Sequence, residues 1–588
     1  MAAPAVDEDA PQSQGGRGVG CGSSSNRGEE EHAAELACST APQALHSWRL
    51  GLVVTSLCLG VVLYGLDMNI IGVATPVITT EFHSLEDIAW YGAAYLLAIT
   101  AFQPFFGNMC KYFEARWVFL AAIGLFEVGS IICATAKTSA VLIFGRAFLG
   151  FGASGLLQGA LAIVSFVVAL EKVPAYQSIV AAAAAIGACA GPVIGGGLTD
   201  HVGWRWCFWI NVPIGGLAVA IILVFCNISY DSNEENLCLP LKKKLKHLDF
   251  IGTVLFLGSI VSLLLVLQWG GESISWGSST SIGLFVCFGV LMILFILLQW
   301  RLGEYATIPF RVVRVRSIYM GAMVLFTLGI ASISLAYYLP LYFQATQGVS
   351  ATKSGVNMLA YVVPTIVAIG LTGAIVSKYG HYVPYMVVGI AIASIAAGFL
   401  TQLDAHTPAV KWAALIVVHR MGMGMAQQLP YTALQSALEP SDTATGNAIA
   451  IFSWQLGGSI AVSVGQNLLL NSLRSNIPKH TAAVSVQQVI DAGAGGLKAL
   501  APNTLVLRQL RKAYAESLKG TYVLALVGTC LALPFAVGMQ WLNIKRVAEE
   551  RRGEADRGKG ESAQALKGEV ELVSKEAGGS RSGRGSPA

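Results

Sequence analysis

Four charged side chains lie inside long apolar stretches: Asp67, Glu127, Arg146 and Arg420. A charge at such a position costs at least about 2.5–3.5 kcal/mol on insertion scales, so each needs a partner, a cavity or a function. Arg146, Gly150, Ser154 and Gln158 recur at four-residue intervals. That spacing puts a charge, a hydroxyl and an amide on one helix face with glycine beside them, and the face is expected to line a polar cavity. Arg420, Gly424, Gln428 and Tyr431 repeat the arrangement late in the chain, among Met421, Met423, Met425 and Gln427. Soft, polarisable side chains with a few amides suit amphipathic or apolar organic ligands. Asp67 closes the run Leu63-Tyr64-Gly65-Leu66-Asp67 and suits either a titrating group or a tether at a helix end. Glu127, within Leu125-Phe126-Glu127-Val128-Gly129, suits either a proton carrier or a carboxylate locked to a neighbouring donor. This is chemistry of proton movement and ligand binding. No nucleophile, base and orienting group come together as a catalytic constellation, and the eleven cysteines include no CxxC pair and no His at metal spacing. Neither an enzyme, nor a metal site, nor a cofactor is expected.

The elements that must position these residues are membrane helices. The chain has 588 residues, 54% hydrophobic and 12% charged, against roughly 25% charged in ordinary soluble domains. Its 64 glycines fit tightly packed transmembrane helices. A net charge of +4, dispersed along the chain, excludes a nucleic-acid footprint. Hydropathy divides the sequence into fourteen stretches long enough to cross the bilayer. They run 50–72, 88–108, 117–136, 140–164, 176–198, 206–227, 249–268, 281–300, 318–342, 354–376, 384–402, 411–432, 445–468 and 520–541. An even count puts both tails on one side. That side carries 25 Lys and Arg against 11 opposite, seven of these in the loop 469–519, so both termini are expected in the cytoplasm. Lys242, Lys243, Lys244 and Lys246, then Arg311, Arg314 and Arg316, are the strongest markers. The sequon Asn227-Ile228-Ser229 falls on the same side and is expected to be unglycosylated. The tails 1–47 and 542–588, polar and without apolar periodicity, read as disordered. Within 469–519, Leu505, Leu507, Leu510 and Tyr514 among Arg508, Arg511, Lys512 and Glu516 suggest a short helix lying on the membrane surface.

Two features recur eight spans apart. Gly145-Arg146 with Gly150 is echoed by His419-Arg420 with Gly424, and Gly107-x3-Lys111-Tyr112 by Gly373-x4-Lys378-Tyr379. Two related six-helix bundles with two extra helices between them produce that offset. The expected architecture is an all-α polytopic membrane protein with 14 transmembrane helices as 6+2+6: bundles at 48–228 and 317–541, and a two-helix linker at 229–316. Span five carries Gly187, Gly191, Pro192, Gly195, Gly196 and Gly197. Glycines four apart let a second helix approach closely, and the proline bends the segment. Two nucleotide-like patterns carry no weight. Gly150-x-Gly152-x-x-Gly155 lies inside a membrane helix, and Gly553-x4-Gly558-Lys559 is followed by Gly560 rather than Ser or Thr.

On these residues the chain resembles the major facilitator superfamily, in particular its fourteen-span drug:proton antiporters and fungal multidrug and toxin efflux pumps. Leu66-Asp67-Met68-Asn69-Ile70-Ile71 is similar to the family's Leu-Asp-x-Thr-Ile-Val, Leu142-Ile143-Phe144-Gly145-Arg146-Ala147 to its helix-four motif, Gly187-x3-Gly191-Pro192-x-Ile194-Gly195-Gly196 to its antiporter motif, and Trp204-Arg205-Trp206-x-Phe208-x-Ile210-Asn211-x-Pro213 to its helix-six signature. The loop after helix two departs from the family's Gly-x-Leu-Ala-Asp-Arg-x-Gly-Arg-Arg. It reads Gly107-Asn108-Met109-Cys110-Lys111-Tyr112-Phe113-Glu114-Ala115-Arg116, so Lys111 stands where the family has an acid. The resemblance implies the major facilitator fold and proton-coupled export of small organic molecules by alternating access. It assigns proton coupling to Arg146, an antiporter motif to the helix-five glycines and Pro192, and a gating loop to Gly107, Lys111 and Arg116. Beside it, the residues themselves give Asp67 and Glu127 as further proton-coupling candidates, the helix-five glycines and Pro192 as a hinge, and Ser154, Gln158, Arg420, Gln428 and Tyr431 as cavity positions. The expected partners are an organic substrate, protons and lipid; the expected form is a monomer in the plasma membrane. An importer or organellar carrier of chelator complexes or basic amino acids, and a transport-inactive sensor, are the alternatives.

Overall fold

The computed structural model describes residues 47–551 and 553, apart from the segments 83–87, 169–171, 227–248, 271–273, 304–305, 350 and 440–441. The readings of the tails up to residue 46 and from 554, of Asn227 and of the lysines at 242–246 fall outside the described residues.

Long helices account for the architecture. The first half consists of α1 (Ser47–Phe82), α2 (Ile88–Tyr112), α3 (Ala115–Ala134), α4 (Ser139–Val167), α5 (Val173–His201) and α6 (Asn211–Phe225), the last preceded by the single turn Trp206–Trp209. Then come α7 (Phe250–Trp269) and α8 (Ser279–Leu302). The second half consists of α9 (Arg316–Leu341), α10 (Leu359–Tyr379), α11 (Val383–Leu400), α12 (Ala409–Gln427), α13 (Thr443–His480) and α14 (Thr504–Val537). Among the described residues, twelve helices are long and apolar enough to cross a membrane. The expected spans 88–108 and 411–432 correspond to α2 and α12, which are helical but not among those twelve.

Local chemistry sets the helix ends. Thr138, Asp249, Ser278 and Asn503 each accept a hydrogen bond from a backbone N–H in the first turn that follows, which satisfies a donor the helix leaves open. Gly380, at φ 80°, ends α10 in the left-handed region that an L side chain avoids. The helix of α12 breaks at Gln428 and restarts as Leu429–Ala437 with Pro430 in its first turn, because proline has no N–H to give the preceding turn. Asp249 also fastens α7 to α8, accepting from Gln299 Nε2 at 2.5 Å and from Thr307 Oγ1 at 3.2 Å.

The segment 469–519 differs from expectation. Helix α13 runs on to His480, a separate helix occupies Val486–Leu500 behind a Ser485–Gln488 capping box, and α14 begins at Thr504. Leu507, Leu510 and Tyr514 therefore belong to the first turns of a 34-residue helix rather than to a short surface helix. Their amphipathic pattern is satisfied by protein. Leu510 and Tyr514 are buried with Leu473, Ile477, Val489 and Leu497, while His480 Nε2 lies 2.9 Å from Glu516.

Candidate functional site

In the first half, Arg146 of α4 and Asp67 of α1 form an ion pair with both side chains buried. Arg146 Nε also donates to the Tyr91 carbonyl at 2.8 Å, and the guanidinium lies 4.5 Å from the centre of the Tyr95 ring on α2. Asn211 of α6 neighbours the Asp67 carboxylate, and its Nδ2 donates to Ser130 Oγ of α3 at 2.9 Å. One Asp67 oxygen has no hydrogen-bond partner. Helices α1, α2 and α4 thus hold a charge pair that a proton on Asp67 would break, since Arg keeps its own proton. Glu127 points elsewhere. Its two carboxyl oxygens are shielded and unpartnered against Gly215 of α6.

The α4 stripe does not open onto a cavity in this conformation. Ser154 and Gln158 are fully buried, and Ser154 Oγ donates to the Phe151 carbonyl of its own helix. The glycines expected to open space are occupied by neighbours instead. A Cβ on Gly150 would lie 2.5 Å from the Tyr95 carbonyl oxygen, and one on Gly152 2.4 Å from the Phe126 nitrogen.

The helix-five motif packs on α1, the helix that carries Asp67. A Cβ on Gly187 would lie 2.2 Å from the Val62 carbonyl oxygen, and one on Gly65 2.1 Å from that of Ala184. Gly191 faces the Leu66 carbonyl and Gly195 the Ile70 side chain; Pro192 is inside α5 and Gly196 half-buried. Backbone cannot yield as a flexible side chain does, so Gly187→Ala is expected to separate α1 from α5 and to remove at least about nine-tenths of transport. Gly197 has open space where its Cβ would be, and Gly197→Ala should act like an ordinary exposed helix site, neutral or stabilising by about 0.5–1 kcal/mol. Transport assays at matched membrane levels compare the two; equal behaviour would rule out the packing argument.

In the second half, Arg420 Nε donates to Thr365 Oγ1 at 2.8 Å and Nη1 to Ser332 Oγ at 2.9 Å, with the Tyr361 ring centre 3.9 Å away. Gln428 and Tyr431 are buried. Tyr431 lies near Tyr64 of α1, whose hydroxyl accepts from Gln455 Nε2 of α13 at 2.7 Å. Met423 packs in the apolar core with Met386 and Ile390 rather than facing a cavity.

Lys111 at the end of α2 lies 3.5 Å from Asp442 at the start of α13, and Arg311 reaches the same carboxylate at 2.7 Å. The gating-loop position thus does form an ion pair, with its charge reversed. Arg116 does not join it; its Nη2 donates to the Leu223 carbonyl of α6 at 2.8 Å. Gly107 is buried one turn before Lys111. Asp442, Arg311, Asn211, Ser332 and Tyr361 escape sequence reasoning as partners. Asn211 left a signal in its place in the helix-six signature, and Arg311 in the basic cluster that it forms with Arg314 and Arg316.

At the opposite end, Glu81 binds Arg205 at 2.8 Å and accepts from the Trp204 indole at 2.6 Å. The Arg205 hydrogen bonds, then that of Trp204, hold its carboxyl below the usual range. A depressed folded-state value means the clamp contributes above the unfolded carboxylate range and is lost as pH falls through the folded one. The thermal midpoints of wild type and Glu81→Gln are therefore expected to differ at about pH 7 and to converge in acid, as the folded carboxyl becomes protonated. A gap that persists in acid would contradict the clamp.

The family model described as Major Facilitator Superfamily matches residues 57–462. This chain belongs to the Major Facilitator Superfamily. It is 42% identical over 497 residues to the "MFS-type efflux pump MFS1" of Trichophyton rubrum, covering 84% of this chain and 92% of that one. It is 37% identical to the "Efflux pump aflT" of Aspergillus parasiticus, covering 86% and 98% respectively. Among solved structures, the human organic anion transporter MFSD10 (TETRAN) matches with a TM-score of 0.52 over 82% of this chain and 99% of that chain, at 13% identity; that likeness shows the fold. The chain is accordingly an all-α polytopic membrane protein of the major facilitator fold.

Proposed function

We propose that this superfamily member exports amphipathic or apolar small organic molecules, toxins or secondary metabolites among them, in exchange for protons. The observation that carries the reading is the buried Arg146–Asp67 ion pair on the helix gripped by the α5 glycines. Neutralising Asp67 would free Arg146 and change the α1–α5 contact in one step, and two six-helix bundles would then rock about the seam between Tyr64, Tyr431 and Gln455. Glu127, unpaired on α3, is a second position for a carried proton. The efflux-pump names of the relatives support the direction of transport. No cofactor enters this scheme. One proton moving through about 100 mV and one pH unit supplies about 3.7 kcal/mol, enough for roughly several-hundredfold accumulation. The reading places a monomer in the plasma membrane with both termini cytoplasmic, as the Lys/Arg balance favours.

The test is retention of a panel of lipophilic fluorescent compounds in an efflux-deficient host expressing the protein at matched surface levels. Wild type should clear dye, and either a protonophore or Arg146→Ala should stop it. Export that survives the protonophore would exclude proton coupling, and uptake that collapses with it would reverse the direction.

A further inference from the structure

The two halves carry the same arginine site with one difference in charge. In the first, Arg146 of α4 stacks on Tyr95 of α2 and binds a group on α1, Asp67. In the second, Arg420 of α12 stacks on Tyr361 of α10 and binds a group on α9, Ser332. The helices correspond under the eight-span repeat, and so do the tyrosines. The carboxylate is replaced by a hydroxyl, and the Tyr91 carbonyl that accepts from Arg146 Nε by Thr365 Oγ1.

Arg420 is 4% exposed, and among the described residues no carboxylate forms an ion pair with it. Guanidinium stays protonated, and a buried cation without a counter-charge is strongly unfavourable. Two of its nitrogens are engaged, Nε by Thr365 and Nη1 by Ser332, and stacking on Tyr361 fixes the plane. Nη2 has no hydrogen bond to the described residues. An oriented guanidinium with Nη2 uncommitted is suited to an oxyanion. Its helix face leads through Gly424 and Gln428 to Tyr431, beside Tyr64 of the other half.

We propose that Arg420, with Ser332, Thr365 and Tyr361, is a binding subsite for the anionic group of an amphipathic organic acid, the ligand supplying the counter-charge that Asp67 supplies to Arg146. The subsite rests on the export reading only for the direction in which its ligand travels.

The full chain, purified in detergent, is unfolded thermally with 2-naphthoate, with 2-naphthamide and with acetate. Naphthoate is expected to raise the midpoint at concentrations at least about tenfold lower than the amide, and acetate to have no effect in that range. Ser332→Asp places an internal carboxylate on Arg420, as in the first half. It should keep the ligand-free midpoint at or above wild type while reducing the acid-to-amide preference below about twofold. Arg420→Gln should lose the same preference. Equal potency of acid and amide on wild type, a preference that survives Ser332→Asp, or acetate as potent as naphthoate would each overturn the proposal; the last would make the site one for a small counter-ion. No proton gradient exists in detergent, so a failure of proton-coupled export in cells with this preference intact affects the export reading alone.

Discussion

Asp67→Asn is expected to reduce proton-driven export by at least about tenfold and to lower the thermal midpoint as well. The substitution keeps an acceptor beside Arg146 but removes the charge. Breaking a buried pair by removing one partner costs about 3–5 kcal/mol, because the other charge is left uncompensated. The retained carbonyl, the Tyr91 oxygen and the Tyr95 ring place the loss toward the lower end. Stability and coupling separate in the double substitution Asp67→Asn with Arg146→Gln. With both charges gone, most of the midpoint should return, whereas export should not, since nothing is left to titrate against the arginine. The coupling energy from the cycle measures the pair itself. Export by Asp67→Asn at the wild-type rate, still sensitive to a protonophore, would move the proton site elsewhere, with Glu127 the next position to replace.

The helices were legible because hydropathy depends on neighbouring residues along the chain. The expected spans match helices α1 to α14 to within a few residues for the most part. What failed were inferences about what a helix face meets. Gly150 and Gly152 suggested an open groove, but glycine equally admits a neighbouring backbone, and Tyr95 and Phe126 take the space. Leu510 and Tyr514 suggested a membrane-facing surface, but the same periodicity serves a helix packed on protein, here the ends of α13 and the Val486–Leu500 helix. Arg146 and Asp67 were each identifiable as costly buried charges, yet nothing in a 79-residue separation said that they pair. The partners of Arg420 are hydroxyls and a ring, residue types too common in membrane helices to single out.

Lys111→Glu is the substitution expected to disturb alternation most. Lys111 and Asp442 have side chains 8% and 1% exposed, whereas Arg311 is 49% exposed. Solvent screens the Arg311 arm to within about 1 kcal/mol, so Arg311→Ala should lower export only modestly. The Lys111 arm is shielded, and a carboxylate there would face Asp442 as a like charge in low dielectric. The end of α2 and the start of α13 should then stay apart. Cys110, buried next to Lys111, reports that separation: its alkylation, followed by mass spectrometry of its peptide, should accelerate by at least about tenfold in Lys111→Glu while export falls by a similar factor. Asp442→Lys alone should be worse, since it gathers three cations. Exchanging the Lys111 and Asp442 charges should restore most of the Cys110 protection and export, short of wild type only by the solvent-screened repulsion between the new lysine and Arg311. Adding Arg311→Glu makes all three charges complementary again, and that triple variant should recover the remaining difference. An exchange variant no better than Lys111→Glu would mean that the Lys111–Asp442 charge pairing does not matter, and unchanged Cys110 alkylation in Lys111→Glu would mean that this ion pair does not hold the end closed.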